Sequence, residues 1–253
     1  MRGSTSAVAA AFLLASATFA QAGDDSLLSA DEVPGEFSAN VALATDYLFR
    51  GLSQTDEEPA IQGGFDYSAP LGEGPAGFYV GVWGSNINQA DELGDTAHIE
   101  IDYYGGLAGD VQGVGWDIGV IYYDYPGTSG TLDYVEAAFA LGYDFGVAAA
   151  GVGVSYSPDY FFESGDGLYV SGDVDIPLPK GLGIGLHIGH QSIDENGTFG
   201  TPDYYDWKVA LAADVVGFGL EFAYMDTDID NGDCFGGTDL CGGRFVFTGS
   251  RSF

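Results

Sequence analysis

Between Phe37 and Arg50 the chain alternates with period two. The odd positions are Phe37, Ala39, Val41, Leu43, Thr45, Tyr47 and Phe49, and the even ones are Ser38, Asn40, Ala42, Ala44, Asp46, Leu48 and Arg50. One face is therefore mainly apolar and the other mostly polar or small, over about 14 residues. A soluble strand ordinarily runs about 5–6 residues. After a turn-like segment, Gly51 to Pro59, the alternation returns with Ile61, Phe65 and Tyr67 set against Gln62, Asp66 and Ser68. Long two-faced strands suit a transmembrane barrel, apolar toward lipid and polar toward the lumen.

The N-terminus has a different character. Arg2 precedes an uncharged apolar run, Ala7 to Ala20, and Ala20-Gln21-Ala22 has the small-x-small form of a cleavage site. These are the parts of a secretory signal peptide, expected to be removed so that the mature chain begins at Gly23. A membrane anchor is the alternative, but the run is shorter than the roughly 18–20 residues a spanning helix needs. Further on, Ala137 to Tyr156 comes nearest to such a helix, and Asp144 and several glycines interrupt it. Any entry into a bilayer is then expected through a closed barrel, because only helices and barrels satisfy all backbone polar groups in lipid.

Twelve alternating segments follow one another: 37–50, 61–67, 76–84, 97–107, 114–122, 135–143, 147–156, 168–176, 182–190, 205–213, 218–224 and 244–253. The connections between them alternate in length. Gly51–Pro59, Asn86–Thr96, Asp124–Gly130, Ser157–Gly167, Gln191–Asp203 and Met225–Gly243 are long and polar; Pro70–Pro75, Ala108–Gly113, Asp144–Gly146, Pro177–Gly181 and Asp214–Gly217 are short. Long outer loops, short periplasmic turns and an even strand count define a bacterial barrel with both termini on the periplasmic side. The expected fold is all-β: a transmembrane antiparallel up-and-down β-barrel of twelve strands over residues 37–253. A signal peptide over 1–22 and a periplasmic lead over 23–36 precede it. The 41 glycines disfavour helix, and 17 Phe and 16 Tyr favour strand. Tyr47, Phe49, Tyr67, Tyr103, Tyr122, Tyr143, Tyr156, Trp207 and Tyr224 lie toward segment ends, as an aromatic girdle would.

Charge narrows the function. Thirty-eight acidic residues oppose six basic ones, for a formal net charge of −32. Beyond the leader the basic residues are Arg50, Lys180, Lys208, Arg244 and Arg251. Phosphate neutralisation needs Lys and Arg, so nucleic acid is excluded as a partner. An acidic surface attracts cations, and it also suits a saline habitat. Cys234 and Cys241 are expected to form a disulfide in an oxidising compartment. As a zinc site they lack further ligands.

Several stretches resemble a known family. Asn40 to Thr55, with Asp46-Tyr47-Leu48-Phe49-Arg50-Gly51, and then Pro59 to Tyr67 resemble the opening signature of the TorF porin family of proteobacterial outer-membrane proteins. Glu100 to Gly105, Gly119 to Pro126, Tyr134-Val135-Glu136, Tyr156 to Tyr160, Tyr204 to Trp207 and the terminal Phe253 are similar to later parts of that family. The resemblance implies an outer-membrane barrel of porin type and names no solute.

By parity, Asp46, Arg50, Asp66, Glu100, Asp102, Asp117, Glu136, Asp173, Asp175, Asp206, Lys208 and Glu221 point into the lumen, as do His98 and His187. Charges in lipid are costly, so these residues belong in a solvated or paired interior. The expected function is passive diffusion of small hydrophilic solutes through a cation-leaning path, with outer-membrane lipid around the barrel and Arg50 and Lys208 as local countercharges. The alternative is a structural or adhesive barrel that does not conduct, with divalent ions bound by acidic loops. Asp226-x-Asp228-x-Asp230 matches the start of an EF-hand loop, but Asn231 and Gly237 stand where Gly and Glu belong. A minor alternative is a lipid hydrolase using His190 and Ser192, without an identifiable group to orient the His. Gly151-Val-Gly153 and Gly183-Ile-Gly185 lack the dinucleotide fingerprint, and no cofactor is expected.

Overall fold

The computed structural model describes residues 34–90, 96–128 and 132–253. The expected leader and most of the lead after it lie outside the described residues. Strand β1 is Glu36–Ala44. The chain then leaves the wall, and the two-residue strands β2 (Leu48–Phe49) and β3 (Leu52–Ser53) pair only with each other. It returns to the wall as β4 (Ala60–Pro70), β5 (Gly77–Ala90), β6 (Thr96–Val111), β7 (Val114–Asp124), β8 (Tyr134–Asp144) and β9 (Ala149–Ser157). The last five strands are β10 (Gly167–Leu178), β11 (Leu182–Ile193), β12 (Tyr204–Val215), β13 (Phe218–Thr227) and β14 (Arg244–Ser252). Each wall strand pairs antiparallel with its neighbours, and β1 closes the circle between β4 and β14, giving a barrel of twelve strands.

The period-two pattern sorts the side chains as expected of such a wall. On β7, Ile118, Val120 and Tyr122 are exposed on the outer face, while Asp117, Ile121 and Tyr123 are buried inside. On β8, Val135 and Phe139 face out, and Tyr134, Glu136, Ala138 and Ala140 face in. An outer band of exposed Val, Ile, Leu and Phe is what lipid requires of a transmembrane barrel. Tyr67, at the short-turn end, packs against Phe37 and Phe78 with centroids 4.7 and 5.9 Å away. Arg251 extends over Phe218 and Phe253 at the same rim, its charge free of the apolar band.

The first strand differs from the sequence reading. It ends at Ala44, six residues before Arg50, although the alternation continues. Thr45 still bonds the wall, donating from its N–H to the Phe247 carbonyl at 3.0 Å. From there the backbone folds into the barrel, turning at Arg50 and Gly51 with φ of 49° and 80°. A Cβ on Gly51 would sit 2.5 Å from Thr227 Cγ2, so glycine permits both the turn and the close approach to β13. The end of the segment expected as the first strand and the start of that expected as an outer loop thus form an internal hairpin. Tyr47 and Phe49, expected in an aromatic girdle, lie in the lumen with it. His98 also departs from its expected place. The β5–β6 register shifts between Asn86 and Gln89, so Ala97 is buried and His98 is exposed.

The long loops pack inward as well. Tyr125, Leu132, Tyr160, Phe161, Phe199, Ile229 and the Cys234–Cys241 disulfide join Leu52 of the hairpin and Tyr123, Tyr134 and Tyr204 of the wall in one buried cluster. Burial of these rings fills the long-loop half of the barrel with a small hydrophobic core.

Candidate functional site: the hairpin and the cavity beneath it

The hairpin is tied to the wall by charged groups. Arg50 donates from both terminal nitrogens to Glu136, at 2.9 and 2.8 Å, and from Nη1 to Gln191 Oε1 at 2.8 Å. Its guanidinium stacks 4.2 Å from the Tyr169 ring centroid and 4.6 Å from that of Phe49. Glu136 is 1% exposed and Gln191 is fully buried, so this is a desolvated bidentate pair of the kind arginine geometry favours. Tyr47 donates to Glu100 at 2.7 Å. Asp46 accepts from Ser53 and Thr55, each at 2.8 Å, which closes the hairpin on itself, and it pairs with Arg244 of β14 at 3.1 Å. Backbone bonds add Ser53 N–H to the Leu240 carbonyl and Asn88 N–H to the Gln54 carbonyl.

Below the hairpin lies a cavity of about 550 Å³. One side is walled by small inward residues, among them Ala140, Gly151, Gly153, Ser155, Ser171 and Gly185, which leave the space open. The other side carries Tyr79, Trp83, Tyr104 and Tyr123. Exposure rises toward the short turns: along β10, Tyr169 is buried, Asp173 half-buried and Asp175 exposed. Above the hairpin the space between Phe49, Leu52, Tyr134 and Phe161 is about 20 Å³. The described residues therefore form a vestibule at the short-turn end and a packed plug at the long-loop end.

The acidic residues named from parity lie as follows. Glu100, Asp102, Glu136 and Asp206 are buried on the inner wall, and so are Asp66 and Asp117, which accept from the hydroxyls of Tyr104 and Tyr79. Asp173 and Asp206 hold His187 between them, with His187 Nδ1 2.6 Å from Asp173 and Nε2 3.1 Å from Asp206. The Tyr169 hydroxyl completes the group, 2.8 Å from His187 Nε2. Lys208 lies 3.5 Å from Glu221, and Asp175 lines the cavity nearby. Asp46 and Arg50 reach the interior through the hairpin and not from a wall strand.

Arg244, Gln191, Tyr169 and Tyr160 belong to the same network and are not among the lumen residues expected from parity. Gln191 was readable, since it shares parity with His187. Tyr160 sits in a loop and bonds Arg50 at 3.4 Å, a contact no periodicity reports. His190 and Ser192 share the outward face of β11, with Ser192 Oγ 3.4 Å from His190 Nδ1. That is longer than the ~2.6–3.2 Å of an activated nucleophile, and among the described residues no carboxylate bonds the His190 ring. No group of three metal-ligating side chains converges among the described residues, the acidic run 226–233 included.

This architecture defines a transmembrane antiparallel β-barrel of twelve strands whose long-loop end is plugged. The chain belongs to the family described as "Bacterial protein of unknown function (Gcw_chp)", which matches residues 29–253. No curated protein matches it in sequence. Among solved structures it is similar to the NanC porin, at 10% identity and a TM-score of 0.51, covering 85% of this chain and 98% of that one. It is also similar to an outer membrane channel from Pseudomonas putida F1, at 9% identity and a TM-score of 0.46, covering 93% and 100%. Salmonella typhi OmpF gives 7% identity and a TM-score of 0.47, covering 87% and 97%.

Proposed function

We propose that the protein is a channel of the bacterial outer membrane for passive diffusion of small hydrophilic solutes, leaning toward cations. The observation that carries this reading is the 550 Å³ cavity inside the barrel, lined by Asp102, Asp173, Asp175, Asp206 and Glu221. A lumen in which carboxylates outnumber basic groups, here Arg50, His187 and Lys208, raises the local concentration of cations. The hairpin from Asp46 to Thr55, with the loop residues packed above it, is the constriction of the path, and opening the outer half requires its displacement from Glu136 and Glu100. The resemblance to the TorF porins in Asp46 to Thr55 falls on this element, which supports the same reading. The signal peptide over 1–22 is the export route the reading requires.

A second reading, a structural barrel that does not conduct, is favoured by the packed cluster around Leu52, Tyr134 and Phe161. Conductance of the refolded protein in a planar bilayer under a salt gradient separates the two. Discrete steps with a cation-favouring reversal potential are expected. A folded barrel that stays silent across applied voltages overturns the channel reading in favour of the structural one.

A further inference from the structure

The carboxylates inside the barrel differ in what they are paired with, and they divide by wall. On the β8–β13 side, Glu136 has Arg50, Asp173 and Asp206 share His187, and Glu221 has Lys208. On the β4–β7 side, Asp66, Glu100 and Asp117 accept from the hydroxyls of Tyr104, Tyr47 and Tyr79. Among the described residues no ion pair reaches any of these three. Asp102 lies between them on β6. It is 6% exposed, it faces the cavity, and its Oδ1 has no hydrogen-bond partner.

The surroundings of Asp102 are aromatic. Its cross-strand partners are Trp83 on β5 and Tyr123 on β7, and Tyr104 follows it on the same face. All three rings line the cavity with it. A buried carboxylate is costly as the anion unless it is paired, so ionisation of Asp102 and entry of a cation beside it favour each other. A metal ion needs several converging ligands, and no such group is present among the described residues. Aromatic faces attract cations whose hydration is easily shed, which ammonium groups bearing alkyl substituents are.

We infer that Asp102, framed by Trp83, Tyr104 and Tyr123, is a binding site for a small organic cation of the alkylammonium class. The carboxylate supplies the countercharge, the rings supply the walls, and the small residues of β9 and β11 opposite leave room for the alkyl part. This gives the cation-leaning channel a solute class and rests on that reading only for transit through the barrel.

The test is calorimetric titration of the refolded full chain in detergent with n-butylammonium chloride. Sodium chloride and butan-1-ol serve as the inorganic and neutral counterparts. Saturable binding of butylammonium is expected, with none for butan-1-ol. Asp102→Asn weakens it at least tenfold and Trp83→Leu severalfold, both checked for barrel formation by heat-modifiable migration on gels. Absence of saturable binding to the wild-type protein overturns the inference, and so does binding that Asp102→Asn leaves unchanged. Sodium competing at equal concentration overturns the aromatic part even if neither variant folds. Because no current is read, the two readings fail separately. A conducting barrel that ignores butylammonium removes the site and leaves the channel; a silent barrel that binds it does the reverse.

Discussion

Replacing Arg50 with methionine should release the hairpin without unfolding the barrel. The substitution keeps an unbranched apolar side chain over Tyr169 and Phe49 and removes three short hydrogen bonds, two to Glu136 and one to Gln191. Glu136, 1% exposed, then retains, among the described residues, the Tyr123 hydroxyl at 3.2 Å. Breaking one partner from a buried ion pair costs about 3–5 kcal/mol, mostly the penalty of the charge left behind. The wall ladder from β1 to β14 contains none of these bonds, so the cost falls on hairpin docking. Tyr47–Glu100 and Asp46–Arg244 still hold the segment. At 1.4 kcal/mol per tenfold, the undocked population rises by roughly a hundredfold to a few thousandfold. Single-channel recording reads this as a rise in open probability. Adding Glu136→Gln removes the orphaned charge and should return much of the loss, a coupling that a double-mutant cycle isolates. An Arg50→Met barrel that is folded and gives wild-type traces would refute the idea that this pair latches the constriction.

Three further outcomes are expected. Asp102→Asn should move the reversal potential toward zero more than Asp173→Asn, because Asp173 already has His187 at 2.6 Å; equal shifts would mean the pairing does not govern selectivity. Val120→Arg places a charge on the outward face of β7, where Val120 is 52% exposed, and should cost about 2–4 kcal/mol at mid-membrane in urea titrations in vesicles. An unchanged midpoint would take that face out of lipid. Replacing Cys234 and Cys241 by serine opens a link between residues seven apart and should cost the last loop about 2–3 kcal/mol. Limited proteolysis is expected to cut within 228–243 and to leave the wall strands intact.

The wall was legible because a barrel strand carries its own evidence. Phe218 to Tyr224 or Leu168 to Ile176 alternate over their whole length, and short turns such as Asp144–Gly146 fix the order of strands. The hairpin was not legible from the same signal. Period two reports an extended backbone and a two-sided environment; it does not report which neighbour the strand pairs with. Asp46, Leu48 and Arg50 continue the alternation of β1 although β1 has ended. A different cue was present. Leu48 and Phe49, at the end of the segment read as the first strand, and Leu52, in the segment read as an outer loop, form an apolar cluster, and such a cluster has to be buried somewhere. The same holds for Tyr160, Phe161, Phe199 and Phe235, which lie in loops and line the plug. His98 was misplaced because a register shift is a property of two strands, and parity along one strand is blind to it.

The location of the acidic residues separates two accounts of the chain's charge. A saline habitat accounts for carboxylates in solvent-facing loops, where they bind water and keep molecules apart. It gives no reason to bury Glu100 at 2% exposure, Asp102 at 6% and Asp206 at 2% inside a barrel. Desolvation there is unfavourable, and an apolar or amide side chain of similar size would relieve it. The arginines and the lysine that reach the interior, Arg50, Arg244 and Lys208, are already engaged by Glu136, Asp46, Glu57 and Glu221. The other basic residues of the described chain, Lys180 and Arg251, lie at the short-turn rim. Any positive charge that neutralises the β4–β7 wall then comes from outside the chain, as a proton or as a cation. On the proposed channel reading, an interior built this way favours the entry of cations, and the loop acidity is a separate property.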